Sequence, residues 1–174
     1  MNNPYIIVFS EKNGFFYYLK ELYQEFDVTV VALGGQPSVL STEYLVNHIL
    51  EKCLSDQIFY TFSIVDYDPS GGLIEQNFKS LLYEQGLTEI VSKSIVQPSL
   101  YTPEEIELYR YPLSKNSKAQ KINKKWLEAT QGVNGEPYGL EADSLPKDRL
   151  MDAIKVELIK LKEMAILKEG EVQS

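Results

Sequence analysis

The sequence predicts an α/β protein: a mostly parallel four-stranded sheet with helices on both faces, followed by a mainly helical C-terminal extension. Short apolar runs without polar alternation recur along the first 96 residues, as in strands that are buried on both faces. Between these runs, apolar residues recur at three- and four-residue steps, which is typical of amphipathic helices. Strands that alternate with helices favour parallel pairing through right-handed crossovers, with ligands bound at the carboxyl ends of the strands.

Each predicted element has its own pattern. The strands are predicted at residues 5–9, 28–33, 58–65 and near 88–96, and the first two are expected to be buried. The first helix begins near Asn13-Gly14. The inward stripes of the three helices between the strands are Phe15, Leu19, Leu22 and Phe26; Leu45, Val46, Ile49 and Cys53; and Ile74, Phe78, Leu81 and Leu82.

The composition changes after residue 96. Residues 97–145 are rich in proline, tyrosine and lysine without a strong apolar period, so short helices and loops are expected there. A long amphipathic helix is predicted at about 146–168, because Leu150, Ile154, Leu158 and Leu161 lie at helical spacing behind Pro146. We therefore divide the chain into an α/β core at 1–96 and a C-terminal extension at 97–174.

Charge and composition exclude several classes of function. The net charge of −8 argues against a surface that attracts nucleic acid everywhere, so DNA binding would need a local basic patch, a metal or a partner. With one histidine, His48, and one cysteine, Cys53, the chain cannot build the usual zinc site, and any metal must bind oxygen. No apolar run approaches the roughly 18 residues of a membrane span and no signal peptide is evident, so the cytoplasm is the expected compartment.

Two aspartates follow the third predicted strand in "FSIVDYDPSGG", residues 62–72. Asp66 and Asp68 are two apart, so on an extended segment they point to the same side. Two carboxylates about 4 Å apart repel by about 4 kcal/mol at an effective dielectric near 20. A divalent cation removes this repulsion, and oxygen ligands favour Mg2+ or Mn2+. For such a pair alone, a helix cap beside a solvated aspartate is the preferred interpretation, and crowding predicts that removing either one leaves the metal-free protein at least as stable.

A third acid strengthens the metal interpretation. Glu11 lies just beyond the first predicted strand in "YIIVFSEKNGFF". If the first and third strands are neighbours, Glu11, Asp66 and Asp68 converge at one edge of the sheet, because the carboxyl ends of parallel strands share an edge.

The order of these motifs is similar to that of a Toprim domain, a Rossmann-like unit. Glu11-Lys12, the Gly-x-Pro loop in "GGQPS" and the turn "VDYDPSGG" resemble in particular the Toprim half of the topoisomerase VI A subunit and of the meiotic double-strand-break protein, over roughly residues 5–95. The resemblance implies that Glu11, Asp66 and Asp68 hold Mg2+ and act on a DNA phosphodiester. Gly71 and Gly72 would admit a phosphate at the helix start. Lys12 would contact a phosphate or be solvated.

The chain differs from those relatives in its nucleophile. There, a winged-helix domain that precedes the Toprim domain supplies a tyrosine, whereas this sequence begins with the Toprim strand. Tyr17, Tyr18, Tyr23 and Tyr60 fall in predicted helices or strands, where packing explains them. No tyrosine is nominated, and a partner protein or a winged-helix domain is expected to supply the nucleophile and much of the DNA-binding surface.

Two further charged groups stand out in the extension. Lys118, Lys121 and Lys125 would share one helical face, which is either a DNA-facing patch or an ordinary solvated face. Glu141 and Asp143 precede the last helix, where capping is the preferred role and additional metal ligation the alternative.

The sequence favours a Mg2+-dependent Toprim module, an enzyme or enzyme subunit that cuts or transfers DNA strands. The alternative is a non-catalytic, metal-dependent module that is associated with DNA or with regulation. A glycosyltransferase using D-x-D with a nucleotide diphosphate would leave Glu11 and the Gly-x-Pro loop unexplained. A phosphatase of the haloacid-dehalogenase type fits less well, because its D-x-D ends the first strand of the domain.

Overall fold

The computed structural model describes residues 4–33, 39–51 and 58–173. The α/β core consists of β1 (Tyr5–Ser10), α1 (Phe16–Glu25), β2 (Thr29–Ala32), α2 (Val39–Leu50), β3 (Phe59–Ile64), α3 (Pro69–Glu84) and β4 (Ile90–Ser94). The strands form one parallel sheet in the order β2-β1-β3-β4. The predicted fold class is thereby confirmed.

The pairing of β1 with β3 aligns the carboxyl ends of the two central strands. It runs from Tyr5 opposite Phe59 to Ser10 opposite Ile64. The expectation that these strands are neighbours is confirmed. Whatever follows Ser10 and Ile64 must therefore emerge at the same edge of the sheet.

The C-terminal extension contains α4 (Pro103–Tyr109), β5 (Tyr111–Pro112), α5 (Gln120–Thr130), β6 (Tyr138–Gly139) and α6 (Lys147–Gln173). Strands β5 and β6 pair as a small antiparallel sheet, which the sequence did not predict because two-residue strands carry no periodicity. Helix α6 begins directly after Pro146, as predicted, and continues beyond the predicted end at residue 168.

Two hydrophobic clusters cover the two faces of the sheet. Because side chains alternate along a strand, β1 sends Ile6 and Val8 to one face and Ile7 and Phe9 to the other. On the first face, Val8 shares a cluster with residues of α1 and with the predicted stripe of α6: Leu150, Ile154, Leu158 and Leu161. On the second face, Phe9 shares a cluster with residues of α2 and α3. Helix α6 thus packs on the α/β core.

Two expectations about the strands need correction. Strand β2 was predicted to span residues 28–33 and to be buried, but it spans Thr29–Ala32 and is half-buried, because it lies at the edge of the sheet. Strand β4 is the other edge and alternates between half-buried and exposed residues, from Ile90 to Ser94. The Gly-x-Pro loop at 34–38 and Cys53 lie outside the described residues.

The helices were also compared with the requirements of a membrane span. None within the described ranges is long and apolar enough to cross a bilayer.

We expect Ile154→Ala in α6 to lower the free energy of unfolding by about 2–5 kcal/mol, because Ile154 is fully buried and truncation leaves a cavity. The matched control Ile159→Ala, on the same helix but 46% exposed, should change it by no more than about 0.5 kcal/mol. Denaturant unfolding followed by circular dichroism measures both variants. Equal stabilities would show that α6 contributes little to the core.

Candidate functional site

The three predicted acids lie at the carboxyl edge of the central strands. Glu11 follows the last residue of β1, and Asp66 and Asp68 follow β3 after one further residue. The buried Ser10 links the two strand ends: its hydroxyl donates to the Ile64 carbonyl at 3.2 Å and accepts from the Lys12 amide at 3.1 Å. The parallel β1–β3 pair therefore brings the Glu11 segment beside the aspartates.

The electrostatics of Glu11 show this proximity. Burial raises the pKa of Glu11 above its usual range, and the negative charge of Asp66 and, less strongly, of Asp68 raises it further. The positive charge of Lys12 and a hydrogen bond from the Asp66 amide oppose the rise. The carboxylate of Glu11 is therefore held where its charged form is disfavoured, as expected in a crowded acidic cluster.

Asp68 serves as the N-cap of α3. Its Oδ1 atom accepts from the Gly71 amide at 2.7 Å, and its Oδ2 atom accepts from the Tyr111 hydroxyl at 2.6 Å. The capping role weighed for an aspartate of this pair is thus observed for Asp68. An N-cap contributes about 1 kcal/mol, so replacing Asp68 with alanine should cost stability, contrary to the expectation from charge crowding alone.

Asp66 is not the freely solvated residue of the capping interpretation. Its Oδ1 atom accepts from the Ala142 amide at 2.8 Å and lies 3.1 Å from Lys12 Nζ. Its side chain is only 19% exposed. Asp66 and Asp68 therefore have different partners, although they emerge from the same turn.

Gly71 and Gly72 lie in the first turn of α3, and both amides already have acceptors. The Gly71 amide bonds the Asp68 carboxylate, and the Gly72 amide bonds the Asp68 carbonyl at 3.0 Å. A Cβ atom at Gly71 would lie 2.0 Å from the Asp66 carbonyl oxygen, so close packing requires glycine there. At Gly72 a Cβ would make an ordinary 3.6 Å contact with Trp126. The predicted phosphate contacts of both glycines stay predictions.

Lys12 bridges the two halves of the cluster. Its Nζ atom lies 3.1 Å from Asp66 Oδ1 and 2.9 Å from Asp143 Oδ2, and its side chain is 29% exposed. Burial alone would lower the pKa of Lys12, but the hydrogen bonds to Asp143 and Asp66 outweigh this effect and raise it above the usual lysine range. Lys12 is therefore a charged ion-pair partner rather than a solvated lysine, and Asp143 contacts Lys12 from the short helical turn that precedes α6.

Sequence reasoning missed the contribution of β5 and β6 to this site. The amides and carbonyls of Tyr67 and Leu140 exchange two hydrogen bonds, at 2.8 and 3.0 Å, between the aspartate turn and the segment after β6. Tyr67 itself points away from the aspartates, as expected, and packs against Trp126 and Tyr138 at centroid distances of 4.9 and 5.8 Å. Tyr111 was named only as part of the extension and carries no local motif that predicts its contact with Asp68.

The predicted lysine patch is only partly helical. Lys118 precedes α5 and does not share its face, whereas Lys121 and Lys125 lie one turn apart on α5 and are exposed. Trp126, on the same helix, packs on Tyr67, which places α5 beside the aspartate turn.

Two tyrosines also differ from expectation. Tyr17 and Tyr23 were assigned to packing but are 81% and 63% exposed, because they lie on the solvent side of α1.

The acids were tested as a metal site. The donor set suits a hard divalent cation, since it offers carboxylate oxygens. Within the described parts of the chain, no group of three or more Asp, Glu, His and Cys side chains is arranged to hold a metal ion. Each aspartate oxygen keeps lone-pair capacity beyond the bonds found here. The residues therefore fit Mg2+ in their chemistry, but Lys12 would have to turn away from Asp66 to admit the ion.

Comparison with known proteins finds no family model that matches the chain and no curated protein with significant sequence similarity to it. What the fold and the site define is an α/β protein with an acidic cluster at the carboxyl edge of its central parallel strands.

We expect Lys12→Met to lower the free energy of unfolding by about 1–2 kcal/mol, because it leaves Asp66 half-paired and Glu11 without a neighbouring positive charge. Lys20→Met, an exposed lysine of α1, is the control and should have little effect. Thermal and urea unfolding at low ionic strength measure the difference. A Lys12 variant as stable as the parent would mean that its ion pairs contribute nothing.

Proposed function

We propose that the protein is a cytoplasmic, Mg2+-dependent Toprim module that acts on DNA phosphodiesters, together with a partner that supplies the nucleophile. The observation that supports it is the position of Glu11, Asp66 and Asp68 at the carboxyl ends of two neighbouring parallel strands. In open parallel sheets this edge is where ligands bind. The order of the acids and of the Toprim-like motifs along the chain supports the same assignment.

The acids would hold the cation, which when bound would stabilise negative charge on the scissile phosphate and on the leaving oxygen. Asp68 is fixed by its cap to α3, and Asp66 by the Ala142 amide, so neither side chain has to be ordered by the ligand. Lys12 is charged and partly exposed next to Asp66, so it can exchange its carboxylate partner for a phosphate oxygen. Within the proposal, this exchange couples opening of the acidic cluster to arrival of DNA.

The alternative is a non-catalytic, metal-dependent module. The observation that favours it is that Asp66 and Asp68 already have hydrogen-bond partners within the protein. A site of this kind can bind a cation for regulation without cutting DNA.

We expect Mn2+ to bind the parent protein weakly, and Asp66→Asn and Asp68→Asn each to lose most of that binding, because each removes a charged ligand. Asparagine is chosen since it keeps the shape and, at position 68, the capping ability. Asp152→Asn, an exposed site on α6, is the control. Calorimetry measures affinity, and nicking of supercoiled plasmid with Mg2+ or Mn2+, with and without cell extract as a source of partner, measures activity.

The outcomes separate the candidate functions. Metal binding with metal-dependent nicking that both aspartate variants lose supports the proposed module. Metal binding without nicking under any condition supports the regulatory alternative. Unchanged Mn2+ affinity in both variants would exclude a metal site at these aspartates.

We expect the double charge reversal Lys121→Glu and Lys125→Glu to weaken DNA binding equally for all sequences, because phosphate contacts carry no sequence information. If both lysines contact phosphates of duplex DNA, the slope of log affinity against log salt should flatten by about 2. The control reverses Lys20 and Lys79, exposed lysines on α1 and α3, and changes the net charge by the same amount. Equal losses in the two double variants would assign the effect to net charge rather than to α5.

A further inference from the structure

The acidic cluster has an aromatic neighbour that the sequence did not nominate. The Tyr111 hydroxyl donates to Asp68 Oδ2 at 2.6 Å, while Asp68 Oδ1 accepts from the Gly71 amide at 2.7 Å. The two oxygens of Asp68 are thus held from opposite parts of the chain, one by the first turn of α3 and one by β5. A carboxylate bound at both oxygens has a single orientation.

The seat of Tyr111 is built by the opposing strand. In the β5–β6 ladder Tyr111 lies opposite Gly139, and a Cβ atom at Gly139 would lie 2.4 Å from Tyr111 Cζ and 2.6 Å from its hydroxyl oxygen. The ring therefore occupies the space that any side chain at 139 would need. β6 is fixed in turn by the bond from Trp126 Nε1 to the Tyr138 carbonyl at 3.0 Å, and by the Tyr67–Leu140 pair that follows it.

The protonation of Tyr111 bears on its role. Burial, then the hydrogen bond to Asp68 and the charges of Asp68 and Asp66, raise the pKa of Tyr111 far above the usual tyrosine range. The phenol therefore remains a hydrogen-bond donor at all physiological pH values. A nucleophilic tyrosine must give up its proton, and this environment opposes that step.

We propose that Tyr111, seated on Gly139, is a positioning residue that orients the Asp68 carboxylate for the cation. This inference rests on the proposed metal site and extends it to β5 and β6. Tyr111 occupies only part of the acceptor capacity of Oδ2, so the carboxylate can still bind a cation. Outer partners that orient metal-binding carboxylates typically change metal affinity by about 10- to 100-fold.

The test compares Mn2+ affinity in Tyr111→Phe, in the control Tyr109→Phe and in Asp68→Asn. Tyr109 is 40% exposed and lies two residues away, so its variant matches the chemical change at a surface site. Tyr111→Phe should bind Mn2+ about 10-fold more weakly or worse, and Tyr109→Phe should match the parent. In the Asp68→Asn background, Tyr111→Phe should have no further effect on affinity, because it acts through Asp68.

A second variant guards against a general loss of structure. Gly139→Ala keeps the hydroxyl but displaces the ring, so it should also weaken Mn2+ binding and add little in the Tyr111→Phe background. Melting temperatures of all variants are compared with their affinities. A merely structural Tyr111 would give a loss of stability with parental affinity in the folded variant, and that result would overturn the inference.

The remaining outcomes distinguish this inference from the proposed function. Weakened binding in Asp68→Asn with parental binding in Tyr111→Phe would overturn only the positioning role. Parental binding in both would overturn the metal site and the positioning role together. A covalent protein–DNA adduct that forms with the parent and disappears in Tyr111→Phe would also overturn the positioning role, because it would identify Tyr111 as a nucleophile.

Discussion

Two backbone hydrogen bonds between Tyr67 and Leu140 determine how the C-terminal extension meets the α/β core. Tyr67 lies between the two aspartates, so this pair sets the position of every group that reaches them from the extension. The Ala142 amide arrives at Asp66 two residues after Leu140, and Gly139, one residue before it, faces Tyr111. A shift of this ladder by one residue would move each of these partners away from its carboxylate.

The charge balance of the cluster follows from the same arrangement. Three acids at the edge of the sheet repel one another, and Asp143 adds a fourth once the extension is in place. Lys12 offsets part of this repulsion by contacting one acid from each half of the chain. The amide of Ala142 and the hydroxyl of Tyr111 stabilise the aspartates further without adding charge. The cluster is therefore stable enough to persist yet remains attractive to a cation.

The sequence was sufficient for the core because the core depends on periodic patterns. Strands, helical stripes and the convergence of Glu11 with Asp66 all follow from local spacing and from the rules of parallel sheets. The contacts of Tyr111 and Asp143 could not be predicted, since they join residues 43 and 131 positions apart through elements too short to show a period. Lys118 was misplaced because a shared helical face was assumed before the start of α5 was known.

The 131-residue separation of Lys12 and Asp143 has a kinetic consequence. Contacts between distant parts of a chain incur the entropy of closing a long loop, so they form after the local ones. The β1–β3 edge can assemble while its carboxylates are still hydrated by bulk water. Their mutual repulsion then rises only when α6 and the segment before it dock. The chemically reactive part of the molecule is thus the last to mature, on a scaffold that is already ordered.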